Sequence, residues 1–318
     1  MAYRGSLLAA RRAVGATVQP GLGVYPLCKQ QQKRAPVGGD LIKHSSIKQG
    51  LSSSAKAPAA ADAGGGGAAD LYAVKKLPTP TLSVVGSEKR FPVRRVYCVG
   101  SNYRDHVREM GGNPDKAPPF FFTKPPDAAV DVSAHGAIVN FPPETDDFQH
   151  EVEMVVAIGT GGRGISREAA IKHVFAYGVG VDLTRRDMQS VAKKAGRPWD
   201  CSKGFDSSGP VGALTPVSDG AAGAGLGLGL GSESRAILLR VDGELRQESV
   251  LGEMIWSVPE MISRLSELFT LEPGDLLFTG TPGGVSPLAV DDRVEARVEG
   301  LEPCRFKVGP LLPPTEGA

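Results

Sequence analysis

Glu151 and Glu153 stand two residues apart in the run His150-Glu151-Val152-Glu153-Met154-Val155-Val156-Ala157-Ile158-Gly159. The run is aliphatic and β-branched and stops at glycine, so it reads as a strand. Side chains at i and i+2 share one face of a strand, roughly 7 Å apart at a rise of ~3.3 Å per residue. Two carboxylates on one face of an otherwise apolar strand repel, and burying them is costly unless something cationic lies between them. A hard divalent metal, which prefers oxygen ligands, meets that need. Asp182 ends a second apolar run, Val174 to Asp182, and is a third candidate ligand. His150 alternates to the opposite face and reads as a packed histidine rather than a ligand.

Other chemistry-bearing residues lie on either side. Asn102 is placed to cap a short helix over Tyr103 to Met110. On it His106 and Glu109 are i and i+3, within contact range on one face. A carboxylate beside an imidazole orients it and raises its basicity, as a general base requires. A plain charged surface helix is the alternative. After Asp182, Leu183-Thr184-Arg185-Arg186-Asp187-Met188-Gln189 opens a helix running to about Gly196, which aims Arg186 and Gln189 back toward Asp182. Arg186 could fork onto a substrate carboxylate or make an ordinary ion pair. In the loop Trp199 to Asp206, Lys203 is a candidate electrophilic stabiliser or a solvated lysine. Thr279-Gly280-Thr281-Pro282-Gly283-Gly284-Val285 follows an apolar strand. Its glycines permit close backbone approach to a ligand, and its hydroxyls can donate to an anionic oxygen.

These residues need a scaffold of strands. The chain has 318 residues, a formal charge of +1, 41 glycines and 25 prolines, a composition that favours strands and turns over a helical bundle. Near-neutral charge gives no global argument for nucleic acid, and no apolar run is long enough to span a membrane. The cysteines (Cys28, Cys98, Cys201, Cys304) form no CxxC, a pattern of free thiols in a reducing compartment. Phe91 to Gly100 reads as a strand. Phe120-Phe121-Phe122-Thr123-Lys124 reads as a core strand with a charged end, Lys124 being left without a role. Asp242-Gly243 marks a hairpin turn, and Ser257-Val258-Pro259-Glu260 a capping box opening a helix to about Phe269. Gly159-Thr160-Gly161-Gly162-Arg163-Gly164 fits the dinucleotide spacing, with Asp182 about 20 residues on. The glutamates in the preceding strand argue against that use, and a glycine-rich turn is the alternative.

Residues 1–70 divide from the rest. Arg4, Arg11 and Arg12 lie among Leu7, Leu8, Ala9, Ala10 and Val14, and Asp40 is the single acid before residue 60. That pattern fits a mitochondrial transit peptide, or else a basic tail. An Ala/Gly linker ends it near residue 69. The expected organisation is presequence and linker over 1–70, a lead-in segment over 71–90, a catalytic domain over 91–310 with a low-complexity insert at 218–234, and a tail at 311–318.

In this order the motifs resemble the fumarylacetoacetate hydrolase family. The carriers are Tyr97-Cys98-Val99-Gly100-Ser101-Asn102-Tyr103-Arg104-Asp105-His106, the Glu151/Glu153 strand, Val181-Asp182-Leu183-Thr184-Arg185-Arg186-Asp187, Ser202-Lys203-Gly204-Phe205-Asp206 and Thr279-Gly280-Thr281-Pro282. Arg94 to Phe122, with Gly196-Arg197-Pro198-Trp199, is most similar to the fumarylpyruvate hydrolase and acylpyruvase branch. The resemblance implies an α+β, β-rich fold, a mixed-sheet β-roll with short flanking helices, and a homodimer. It implies Mg²⁺ or Mn²⁺ on Glu151, Glu153 and Asp182, a His106–Glu109 dyad activating water, and substrate contacts from Lys203, Arg186, Gln189 and Thr281. It also implies hydrolysis of the C–C bond of an acylpyruvate such as fumarylpyruvate. The alternatives are oxaloacetate decarboxylase or tautomerase chemistry at the same site, a dinucleotide oxidoreductase, and a non-catalytic scaffold. Two departures stand out: Ser286-Pro287 follows Val285 where the family continues with glycine, and the Gly-Leu insert is unusual.

Overall fold

The computed structural model describes residues 72–114, 118–217 and 233–314. The expected presequence and linker lie outside these residues, as does most of the 218–234 insert, which the chain enters and leaves between strands. In chain order the elements begin with β1 (Thr81–Val84), β2 (Ser87–Pro92), β3 (Arg95–Gly100), α1 (Arg104–Glu109), β4 (Phe120–Lys124), β5 (Ala129–Asp131), β6 (Ile138–Asn140) and β7 (Phe148–His150). β8 (Val152–Ile158), α2 (Arg167–Ala170), β9 (Val174–Val181), β10 (Thr184–Arg185), α3 (Arg186–Ala195), α4 (Asp200–Lys203), β11 (Gly209–Val211) and β12 (Thr215–Pro216) follow. The chain closes with β13 (Ala236–Val241), β14 (Glu244–Val250), α5 (Val258–Leu268), β15 (Asp275–Phe278), β16 (Ser286–Pro287), β17 (Arg293–Val298) and β18 (Cys304–Gly309).

The fold is α+β and β-rich, with short helices at its flanks. An eight-stranded mixed sheet includes the path β4-β3-β15-β8-β9-β11-β5, with β12 joined to β9. A five-stranded sheet, β14-β13-β17-β18-β6, packs on β8 and β9 through β13, β17 and β18. The alternation along β8 explains this. Val152, Met154, Val156 and Ile158 face the five-stranded sheet and join its core, while Val155 and Ala157 pack on the other side with Phe278 and Leu276. Every β8 residue is buried, so both faces need cover. The β13–β14 hairpin turns at Asp242 (φ 51°) and Gly243 (φ 84°), the two positive φ values that a type I′ turn demands. In α5, Ser257 N donates to Glu260 Oε2 at 2.9 Å, and Met261, Ile262 and Leu265 are buried on the core side.

Several expected elements differ. The strand over His150–Gly159 is broken at Glu151: β7 belongs to a separate three-stranded sheet with β10 and β16. Asn102 caps nothing; Tyr103 is the N-cap of α1 and makes no side-chain cap bond. The helix expected from Leu183 begins at Arg186, because Thr184–Arg185 pairs with β7 first. Lys203 sits on a one-turn helix rather than in a loop. β4 is an edge strand with Phe120 exposed, while its lysine is buried, the reverse of a core strand with a solvated end. The glycine turn after β8 leads to antiparallel β9, not to a parallel crossover, and pairs with Leu271 through two 2.9 Å backbone bonds.

Candidate active site

The register of β8 on β9 assembles the acidic group. Val152 faces Val181, so the next residues outward, Glu151 and Asp182, lie side by side, with Asp182 N donating to Glu151 O at 2.8 Å. Glu153 is opposite Gly180 on the same face. Each of the three carboxyl groups can offer an oxygen within 4.8 Å of the other two, and all three are buried. The expected ligand set is thus brought together.

Cations surround it. Lys203 Nζ donates to Glu151 Oε2 (2.8 Å), Asp182 Oδ2 (2.8 Å) and Thr184 Oγ1 (2.7 Å). Arg186 donates to Glu151 Oε1, to Gln189 Oε1 at 2.6 Å and to Gln149 Oε1 at 2.8 Å. Lys124, which had no role in the sequence, is buried with Nζ 2.7 Å from Asp182 Oδ1. It also donates to Ser208 Oγ at 3.1 Å and to Lys203 O. Asp182 Oδ1 gains an ion pair there but no hydrogen bond. Among the described residues Glu153 forms no ion pair; its Oε2 accepts from Gly280 N at 2.6 Å. Gly280 has φ 93°, and a Cβ there would fall 2.6 Å from Asn102 Cβ, so only glycine lets this N–H approach. Asn102 holds that turn from below, donating to Thr279 O at 2.8 Å and to Trp256 O at 3.0 Å.

Electrostatics separate the two glutamates. Burial pushes the Glu151 carboxyl up, but Lys203 and Arg186 overcome it and hold it well below the usual range. For Glu153, burial and the neighbouring Asp182 and Glu151 carboxylates push it well above that range. Burial pulls the Lys203 ammonium down, and Asp182 and Glu151 more than reverse this. An oxygen-only donor set with one member, Glu153, not paired with a cation fits a hard divalent cation. A zinc site would call for nitrogen or sulfur ligands.

The cleft over this group is also lined by His106, Gln189 and Thr281. His106 Nδ1 lies 3.4 Å from Glu109 Oε2, a long contact, and Glu109 accepts from Gly284 N at 3.2 Å. Thr281 Oγ1 accepts from Gln247 Nε2 at 2.8 Å. Gln247 comes from β14 of the other sheet and is fully engaged: it donates also to Pro282 O (2.9 Å) and accepts from Val152 N (3.0 Å) at the break after β7. His150 Nδ1 is 2.9 Å from the same Gln247 oxygen, and its Nε2 is 2.8 Å from Ser286 Oγ. His150 is therefore a packed histidine, as its alternation implied. The serine that departs from the family's usual loop exit is its partner.

Residues 95–309 match the family model described as fumarylacetoacetate (FAA) hydrolase C-terminal. The chain belongs to that family. Within the fumarylacetoacetate hydrolase family, it is 40% identical over 215 residues, 68% of this chain and 91% of the relative, to an oxaloacetate tautomerase of Mus musculus described as mitochondrial. It is 38% identical over 191 residues, 60% of this chain and 93% of the relative, to a fumarylpyruvate hydrolase of a Ralstonia species. The crystal structure of fumarylpyruvate hydrolase from Pseudomonas aeruginosa, in complex with Mn²⁺ and pyruvate, superposes with a TM-score of 0.70 at 44% identity. That match covers 76% of this chain and 100% of the other.

The sequence gives Asn102 a capping role it does not fill and Lys124 no role, and it does not single out Gln247. Only Lys124 carried a local signal, a lysine ending a phenylalanine run before two prolines. The other two are defined by distant segments of chain.

Proposed function

We propose that the chain is a metal-dependent acylpyruvate hydrolase, with fumarylpyruvate the best-fitting substrate. One observation carries this reading: a buried three-carboxylate cage and a histidine–carboxylate pair open onto one cleft. When bound by Glu151, Glu153 and Asp182, Mg²⁺ or Mn²⁺ supplies Lewis-acid polarisation of a 2-oxo acid. Arg186 and Gln189 then fix the carboxylate end, and Thr281 is left free to donate its O–H into the cleft, because its oxygen already accepts from Gln247. His106, oriented by Glu109, takes a proton from water, a contribution of about 10²–10⁴-fold. The resulting hydroxide adds to the acyl carbonyl, and the positive charge of Lys203, whose three N–H groups are held by Glu151, Asp182 and Thr184, stabilises the developing oxyanion through space. As that carbonyl re-forms, the C–C bond to the methylene breaks and its electron pair passes into the enolate of pyruvate. The His106 proton returns to that carbon, giving pyruvate and a carboxylic acid.

Oxaloacetate tautomerisation or decarboxylation is the second reading, favoured by the 40% identity to the murine tautomerase. It needs the same cage and enolate without water attack. Turnover of fumarylpyruvate, acetylpyruvate and oxaloacetate, each with and without chelator, tests both. Chelator-sensitive hydrolysis of the acylpyruvates supports the hydrolase; activity confined to oxaloacetate supports the second reading. The basic first residues and the mitochondrial relatives support a mitochondrial destination, and the family likeness supports a homodimer. Light scattering on the purified chain tests the latter.

A further inference from the structure

Around the acidic cage the cleft is charged, but one wall of it is aromatic and begins at Phe122, whose ring centroid is 5.4 Å from Lys203 Nζ. Phe122 and Trp199 form that wall, with ring centroids 5.6 Å apart. Phe120 braces Trp199 edge-on at 5.5 Å. Phe120 in turn lies over Gly100, where a Cβ would fall 2.0 Å from the ring, so the aromatic wall depends on that glycine. Beside it stands Lys193.

Helix α3 places Lys193 there. Arg186, Gln189 and Lys193 are i, i+3 and i+7 and share one face. Arg186 and Gln189 are buried against the acidic cage; Lys193 stands roughly 10 Å further along the axis at ~1.5 Å per residue, and is exposed. Its ammonium pairs with no carboxylate among the described residues. Lys194 shares the same helix end but does not line the cleft.

We propose that Lys193, Trp199 and Phe122 form a distal subsite that selects acylpyruvates whose acyl arm is flat, conjugated and ends in a second carboxylate. The rings receive the flat arm, and the ammonium takes the carboxylate in a charge-assisted hydrogen bond. The inference rests on the acylpyruvate reading above and adds to it the residues that set specificity for the acyl arm. A cation near a helix C-terminus also complements the helix dipole, a role in which Lys193 and Lys194 would be equivalent.

The test compares kcat/KM for fumarylpyruvate and acetylpyruvate in the wild type, Lys193→Met, Lys193→Arg and Lys194→Met. The expected ratio of fumarylpyruvate to acetylpyruvate falls at least tenfold in K193M, stays within twofold in K194M and recovers substantially in K193R. Fumarate binding to chelator-treated protein, followed by calorimetry, weakens at least fivefold in K193M. A K193M ratio within twofold of wild type, an equal loss in K194M, or fumarate binding that is absent or indifferent to K193M overturns the subsite. Failure of the wild type to hydrolyse any acylpyruvate overturns the reaction reading instead, and the fumarate titration then decides the subsite alone.

Discussion

On the five-stranded sheet, Glu295 accepts from Arg297 at 2.7 Å and from Arg305 at 2.6 Å, and both arginines remain about half exposed. In the cleft, Glu151 and Asp182 meet Lys203 and Arg186 or Lys124 at similar distances, with every partner buried. The residue types are the same; the solvent is not. On the sheet, water screens the charges and the pairs matter little. In the cleft, each charge has lost its hydration, so removing one partner strands another. Such an arrangement is costly as mere structure, which supports the proposal that it is the working site.

Asp182→Asn breaks the contrast most severely. It leaves Lys124 and Lys203 short of a partner and should destabilise the metal-free protein by about 3–5 kcal/mol, read from urea midpoints. Glu153→Gln, in the same cage, should stay within about 1 kcal/mol of wild type, since Glu153 pairs with no cation among the described residues and glutamine can still accept from Gly280. An equal loss in both variants would show that burial, not pairing, governs this region.

His106→Ala should lower kcat for fumarylpyruvate by about 10²–10⁴-fold, with the urea midpoint little changed. A fall below tenfold would remove the histidine from the proton transfer.

Asp131 sits between the two extremes. Burial pushes its carboxyl up, but bonds from Ser133, Ser83 and Arg90 bring it down to about 2. The folded value lies below the unfolded one, so its stabilisation is complete above about pH 4 and is lost as pH falls toward 2. Because Arg90 is half exposed, the contribution is about 1 kcal/mol after screening. Asp131→Asn should flatten the pH dependence of the melting temperature between pH 4.5 and 2.5 (about 1 kcal/mol in all); an unchanged slope would assign it to other carboxyls. Glu295→Gln should have the smallest effect, below about 1 kcal/mol and without effect on turnover.

Much of the cage was legible in the sequence, because two carboxylates at strand spacing in an apolar run make sense physically only beside a cation. Asp182 was legible for the same reason, as an acid ending an apolar strand. The local pattern places the start of the helix over Arg186 too early, since Thr184 and Arg185 pair with β7, a partner outside the local window. Lys124 looked like a solvated strand end, yet its cost of burial is offset by Asp182, about 60 residues away in sequence. Gln247 gave no signal at all: a glutamine on an alternating hairpin strand is ordinary until the break at Glu151 supplies an unpaired Val152 N–H beside it.

The central claim is that Glu151, Glu153 and Asp182 together hold one divalent cation. A Mn²⁺ titration of chelator-treated protein, followed by electron paramagnetic resonance, tests it most directly. The account predicts one tight site per chain in the wild type and its loss in Glu153→Gln, which remains folded. Equal Mn²⁺ affinity in the two proteins, or no tight site in the wild type, would contradict it.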